Sequence, residues 1–210
     1  MGLRGQRAGW CVGLTVLVAL CTPARADYFV ELVGGLAIPA GTNDWTTIVT
    51  PSPKLGARGG TMFGDLGGLL AVDWTPEELG SEEAALGIGA VHRSLDRFRV
   101  IASAMFRHRV ASAITLSGRA GAGIDIAHGR VSDLLDFGTT PISNTDVGYA
   151  FEFGVGMWFD VGFGDSQIGL ELAVPLGHHA RQPYYRTTEL TFNYTSVDID
   201  LLVGLRFSRR

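Results

Sequence analysis

Large apolar side chains occupy every second position of VGYAFEFGVGMWFDVG, residues 147 to 162. Val147, Tyr149, Phe151, Phe153, Val155, Met157, Phe159 and Val161 form one row, and the row between them is mostly glycine, alanine and acid. A period of two predicts a β-strand, because successive side chains of a pleated chain point to opposite faces. The same alternation recurs along the chain. Tyr28 to Ile38 carries an apolar row opposite Glu31, and Met62 to Trp74 carries one opposite Asp65 and Asp73. Ala84 to His92 is the weakest segment. Phe98 to Phe106 alternates with Arg99 and Arg107 nearby, and Ile114 to Ile126 with Arg119 and Asp125. Ile168 to Leu176 stands opposite Glu171, and Val197 to Phe207 opposite Asp198, Asp200 and Arg206. With the opening stretch, eight strands are predicted, and no segment has a comparably clear helical period.

The connections carry a pattern of their own. Long polar segments are expected over Pro39 to Ala57, Gly129 to Asp146 and Arg181 to Thr195, and short ones over Arg109 to Ala113 and Phe163 to Ser166. Long on one side and short on the other is the loop asymmetry of transmembrane barrels. A short connection over Arg93 to Arg97, after the third strand, breaks the rule.

Composition decides which face is inside. The chain is 46% hydrophobic and only 18% charged, with 29 glycines. Lys54 is its single lysine, which leaves little to cover a water-facing exterior. The apolar rows together hold roughly forty bulky groups, whereas the interior of an eight-stranded barrel is only wide enough for side chains to fill it. The apolar rows must face out. The prediction is an all-β, eight-stranded antiparallel up-and-down transmembrane β-barrel. Its lumen would hold Glu31, Asp65, Asp125, Glu152, Glu171, Asp198 and Asp200 against Arg99, Arg107, Arg119 and Arg206. Buried charges must be paired, so an ionic network plugging the barrel is expected rather than an open pore.

The N-terminus reads as an export signal. Arg4 and Arg7 precede an apolar run from Gly9 to Cys21, and Ala24-Arg25-Ala26 has the A-x-A form of a cleavage site. Residues 1–26 are expected to be removed, leaving a barrel over 27–207 and a short basic tail, 208–210. Leu20 stands before Cys21 where lipid attachment wants a small residue. Both cysteines leave with the signal, so thiol chemistry and disulfides leave too. The mature chain would keep 14 bases against 21 acids. That balance, with no basic cluster, argues against nucleic acid.

A signal peptide, eight alternating strands and the closing VDIDLLVGLRF resemble the small outer-membrane β-barrel proteins of Gram-negative bacteria, the group of OmpA-like transmembrane domains and OmpX- or OmpW-type barrels. The resemblance implies an outer-membrane location, a monomer, contact with outer-membrane lipids and lipopolysaccharide, and no cofactor. It also implies recognition by the barrel-insertion machinery through an assembly signal at Gly204, Leu205 and Phe207. The chain departs from the pattern in continuing to Ser208-Arg209-Arg210 beyond the aromatic residue.

Candidate chemistry is sparse. His92 and Ser94 faintly resemble the H-x-S pair of outer-membrane lipid A deacylases, in which a base activates a serine; Asp96 is the sequence-near carboxylate. His178-His179 offers half a metal site at most, and no metal is expected. The reading is a non-enzymatic barrel acting as an envelope component or through external loops, where Trp45, Tyr184, Tyr185, Phe192 and Tyr194 offer aromatic contact surface for adhesion or binding. The alternatives are a narrow ion or small-solute channel and, behind it, a lipid-A-modifying enzyme.

Overall fold

A computed structural model describes residues 26–40, 49–79, 91–133, 142–163, 165–180 and 194–209. They form eight strands: β1 (Asp27–Ala40), β2 (Ser52–Phe63), β3 (Leu66–Leu79), β4 (Val91–Ala111), β5 (Ile114–Asp133), β6 (Ile142–Asp160), β7 (Ser166–His179) and β8 (Tyr194–Arg209). Each strand pairs antiparallel with the next, and β8 pairs back onto β1, so the sheet is a closed barrel without an edge.

The expected count of eight holds, but one strand was misplaced. β2 (Ser52–Phe63) takes the end of the expected loop Pro39 to Ala57 and the start of the expected strand Met62 to Trp74, which the Gly64-Asp65 turn divides, and it pairs with β1 from Ala37–Ser52 to Asp27–Met62. The expected third strand, Ala84 to His92, lies mostly outside the described residues. Its last two residues, Val91 and His92, open β4. The expected connection Arg93 to Arg97 is likewise part of β4. Both errors share a physical cause. In this barrel the inward row is the polar one, so Lys54, Arg58 and Arg97 are the buried half of an alternation and not solvated loop charges.

The correction removes the exception in the connections. Gly64-Asp65, Ser112-Ala113 and residues 161–165 join strands at one end, the turn end. The four longer connections all lie at the other, the loop end. Gly64 and Gly162 have φ of 67° and 80°, the left-handed region that glycine enters without steric cost.

Parity follows the expected rows. On β7, Leu170 is 60% exposed and Leu172 43%, while Glu171 between them is 8% exposed. The outward apolar row runs from Phe98 to Phe106 on β4 and from Leu116 to Ile126 on β5. Those lengths match the roughly 9–11 tilted residues with which a strand crosses a hydrocarbon layer. Trp74 and Phe98, stacked 6.3 Å apart, stand toward the loop end, and Phe106 and Phe207 toward the turn end. Among the described residues Met62 is the exception to the expected outward rows. It belongs to β2, points inward, and packs with Phe29, Leu69, Ala71 and Met105 in a small apolar cluster near the turn end.

This geometry gives a sharp test. Leu172→Arg places a cation on the outer face near mid-strand and should cost about 2–4 kcal/mol in denaturant unfolding of the bilayer-inserted barrel. Glu171→Gln should cost less on hydration grounds, although it leaves two arginines less well paired. A spin label at 172 should report hydrocarbon and one at 171 a restricted polar site. Bulk water at 171 and a packed core at 172 would reverse the face assignment.

Candidate functional site

The lumen is where the sequence concentrates its charge, and two tiers of ion pairs cross it. In the tier nearer the loop end, Arg97 and Arg99 of β4 share two carboxylates. Arg97 donates to Asp125 at 2.6 Å and to Asp198 at 3.0 Å, and Arg99 to Asp125 at 3.1 Å and to Asp198 at 2.7 Å. Arg97 also reaches Glu77 on β3 at 3.0 Å and the Ser196 hydroxyl at 2.6 Å. His179, fully buried, has Nδ1 3.2 Å from Asp146 and Nε2 3.5 Å from Asp125.

The second tier is built on Lys54. Its ammonium donates to Asp200 at 2.6 Å and lies 3.2 Å from Asp73 and 3.9 Å from Glu152. Arg119 pairs with Glu152, and donates to Glu171 at 2.6 Å. Arg58 donates to the other Glu171 oxygen at 2.8 Å and lies 3.6 Å from Glu31, which accepts from Arg206 at 2.7 Å.

Two of these contacts fix the shape of the lumen. β2 and β6 are four strands apart in a ring of eight, and so are β4 and β8. The contacts Lys54–Glu152 and Arg97–Asp198 therefore span the full diameter. Side chains from opposite walls meet, and the passage is braced by charge at both tiers.

Below them, toward the turn end, Trp158 is fully buried along the inner wall, over Gly169 of β7 and Gly204 of β8. The Arg206 guanidinium sits 3.8 Å from its ring centroid, and its indole N–H donates to Ser117 at 2.9 Å. A cation over an aromatic face in a desolvated site is worth about 2 kcal/mol. Gly204 is the seat of this ring. A Cβ there would fall 2.7 Å from Trp158, so the position tolerates no side chain without moving the plug. Beyond it opens a polar vestibule of about 400 Å³ lined in part by Asp27, Arg107, Arg109 and Asp160.

Nine of the eleven expected lumen charges are in this network. Asp65 and Arg107 are not. Asp65 lies in the exposed turn after β2 and contacts His108 at 2.8 Å. Arg107 is at the vestibule, 4.0 Å from Asp27. Sequence reading missed Lys54, Arg58, Asp73, Glu77, Arg97 and His179 as lumen groups. The inward parity of Asp73 and the uniqueness of Lys54 were the available signals.

The other expected sites fall as follows. His178 and His179 are on opposite faces. His178 points outward against the Tyr149 ring, 5.0 Å away, with Nδ1 3.0 Å from Thr195, so the two imidazoles cannot share a metal. His92 is the second residue of β4, and Ser94 and Asp96 share the outward row of Phe98; Asp96 accepts from the Trp74 indole at 3.3 Å. Among the described residues no group of three His, Cys, Asp or Glu is placed to hold a metal. Leu205 and Phe207 face outward, with Gly204 and Arg206 facing in. Trp45, Tyr184, Tyr185 and Phe192 lie outside the described residues, and Tyr194 is the first residue of β8 rather than a loop residue.

No family model matches the chain, and no curated protein matches it. Solved structures do. A major outer membrane protein from Thermus thermophilus is similar with a TM-score of 0.60 at 11% identity, over 88% of this chain and 99% of that one. The outer membrane protein OprG from Pseudomonas aeruginosa is similar with a TM-score of 0.50 at 14% identity, over 88% of this chain and 96% of that one. At these identities the likeness is one of fold: a closed eight-stranded antiparallel barrel.

Two substitutions probe the site. Lys54→Met removes the cation shared by Asp73, Glu152 and Asp200. Breaking a buried pair on one side costs about 3–5 kcal/mol, and adding Asp200→Asn should recover part of that loss in denaturant unfolding. Gly204→Ala should displace Trp158, read as a shift in indole fluorescence toward a wetter environment. An unchanged spectrum would mean that the ring is not seated there.

Proposed function

We propose that this chain is an outer-membrane protein, exported with cleavage after Ala26, that spans the bilayer as a plugged, non-enzymatic barrel. It serves as an envelope component or acts through its external loops. The observation that carries the reading is the pairing of a bilayer-high apolar exterior with ion pairs that cross the full bore. The first needs hydrocarbon around the barrel, because large exposed apolar belts are not sustained in water. The second leaves little room for solute.

An even strand number puts both ends of the barrel chain at the turn end. Short turns then face the periplasm and the long connections face outside. Loops on a rigid scaffold are where binding residues usually sit, and Trp45, Tyr184, Tyr185 and Phe192 supply the aromatic surface by sequence. Outer-membrane lipid and lipopolysaccharide are the proposed surroundings, and the outward Leu205 and Phe207 of β8, with Gly204, the proposed signal to the insertion machinery. The protein is proposed to work as a monomer.

The first experiment is fractionation with gel mobility before and after heating. The folded protein should partition with the outer membrane and migrate faster unheated than heated. In planar bilayers the purified protein should give little or no conductance. Large, stable single-channel steps would overturn the plugged lumen and favour the channel reading, and altered lipid A mass spectra on expression would favour an enzyme.

A further inference from the structure

At the loop end the outward apolar rows give way to other side chains, and these differ around the barrel. On β5 Ile126 is followed by His128 and Arg130, on β6 Val147 is preceded by Thr145, on β7 Leu176 is followed by His178, and on β8 Val197 is preceded by Thr195. The corresponding outward positions of the other half are Ala40 on β1, Pro53 on β2, Pro76 on β3 and Asp96 on β4. One half thus presents imidazoles, hydroxyls and a guanidinium, and the other small apolar side chains and a carboxylate.

The two imidazoles are held in the same way. His128 faces Thr145 directly across the β5–β6 seam, with Nδ1 2.8 Å from its hydroxyl oxygen. His178 faces Thr195 across the β7–β8 seam, with the same two atoms 3.0 Å apart. A threonine hydroxyl that donates to Nδ1 fixes the neutral ring with its hydrogen on Nε2. That nitrogen is then a donor without any change of protonation. Tyr149 of β6 stands between the seams, exposed, with its ring 5.0 Å from that of His178. Arg130 is also exposed, and it has no carboxylate partner among the described residues.

A guanidinium with several neutral donors is a donor set for phosphate, and above the apolar rows these four strands turn no carboxylate outward among the described residues. The level is that of lipid headgroups, because the set begins where the hydrocarbon-facing rows end, and tyrosine is the kind of amphipathic ring that lies there. The spread of the donors narrows the ligand further. Tyr149 pairs with Ile124 on one side and His178 on the other, so His178 lies two strands across and four residues along from His128. By strand geometry that separation is about 16 Å. A single phosphodiester does not reach both imidazoles, whereas a sugar headgroup carrying two phosphates does.

We propose that the outer face of β5–β8 at the loop end binds a phosphorylated glycolipid of the surrounding leaflet. Arg130 and His128 take one phosphate, His178 takes the other, and Tyr149 packs against the sugar between them. The inference rests on the reading that this end of the barrel lies in the outer leaflet, and names the lipid chemistry held there.

The test uses the full barrel folded in maltoside micelles, with diphosphoryl lipid A as the probe and native mass spectrometry as the readout. The folded parent should retain the probe, and the dephosphorylated lipid with the same acyl chains should bind at least roughly tenfold more weakly. Arg130→Gln should weaken retention of the probe roughly tenfold, and so should His128→Ala combined with His178→Ala. Asp96→Asn, on the other half, should leave it unchanged. All these positions are on the outer face, and unaltered gel heat-modifiability shows that each variant folds. Equal binding of the dephosphorylated lipid, or no loss in Arg130→Gln, overturns the site. Displacement of the probe by inorganic phosphate or phosphatidylglycerol at equal concentration overturns the glycolipid as its occupant. Binding in micelles is read independently of where the protein resides, so a failed site is distinguishable from a failed outer-membrane reading, which fractionation tests.

Discussion

The hydrogen bonds that join β1 to β8, from Tyr28–Arg209 to Ala40–Val197, leave the sheet without an edge. In hydrocarbon every backbone N–H and C=O must find a partner inside the protein, and only a helix or a closed sheet supplies one. Closure at eight strands then fixes the bore, and the bore fixes the distribution of side chains. Most bulky apolar residues find no room inside and go out. Apart from a few buried apolar side chains such as Met62 and Trp158, the inward row is left with glycine, alanine and polar groups, and the strands read as an inverted version of a soluble sheet.

A lumen made in this way carries an obligation. Eight strands bring carboxylates and guanidinium groups into a space with little water, where each ion forfeits hydration worth several kcal/mol. Pairing across the diameter meets that cost, and Lys54 and Arg97 do it by serving three carboxylates each. The ion pairs at the turn end are of another kind. His108–Asp65 is open to water on both sides, with both side chains 55% exposed, and exposed pairs contribute about 0–1 kcal/mol. The stability of the barrel interior therefore rests on the two tiers and on the Trp158 plug, and the turn rim can vary without disturbing them.

The sequence displayed this architecture wherever the outward row was bulky. β6 and β8 alternate cleanly because Phe151, Phe153, Leu201 and Leu205 mark every second position. β2 was hard to see for the opposite reason: its outward row separates Leu55 from Phe63 by Ala57, Gly59 and Thr61, and its inward row holds Lys54 and Arg58, so the hydrophobic signal on each face is sparse. It is held as a strand by backbone pairing with β1 and β3. Arg93 to Arg97 failed in the same way, since clustered charge is normally a loop signature and here Arg97 is inward. The partners of each charge were beyond reach for a deeper reason. Parity shows that Arg97 and Asp198 both point inward, but only the stagger of the closed barrel shows that they meet.

β8 concentrates these constraints in one strand. Leu205 and Phe207 belong to the apolar exterior, whereas Arg206 between them binds Glu31 across the β1–β8 seam and covers the face of Trp158. Gly204 leaves space for that ring. A change of parity in this strand would send the arginine into hydrocarbon and a bulky apolar side chain against the indole, so the register of the closing seam is specified from both faces at once. The segment read in the sequence as an assembly signal is thus also the segment that locks the turn-end plug.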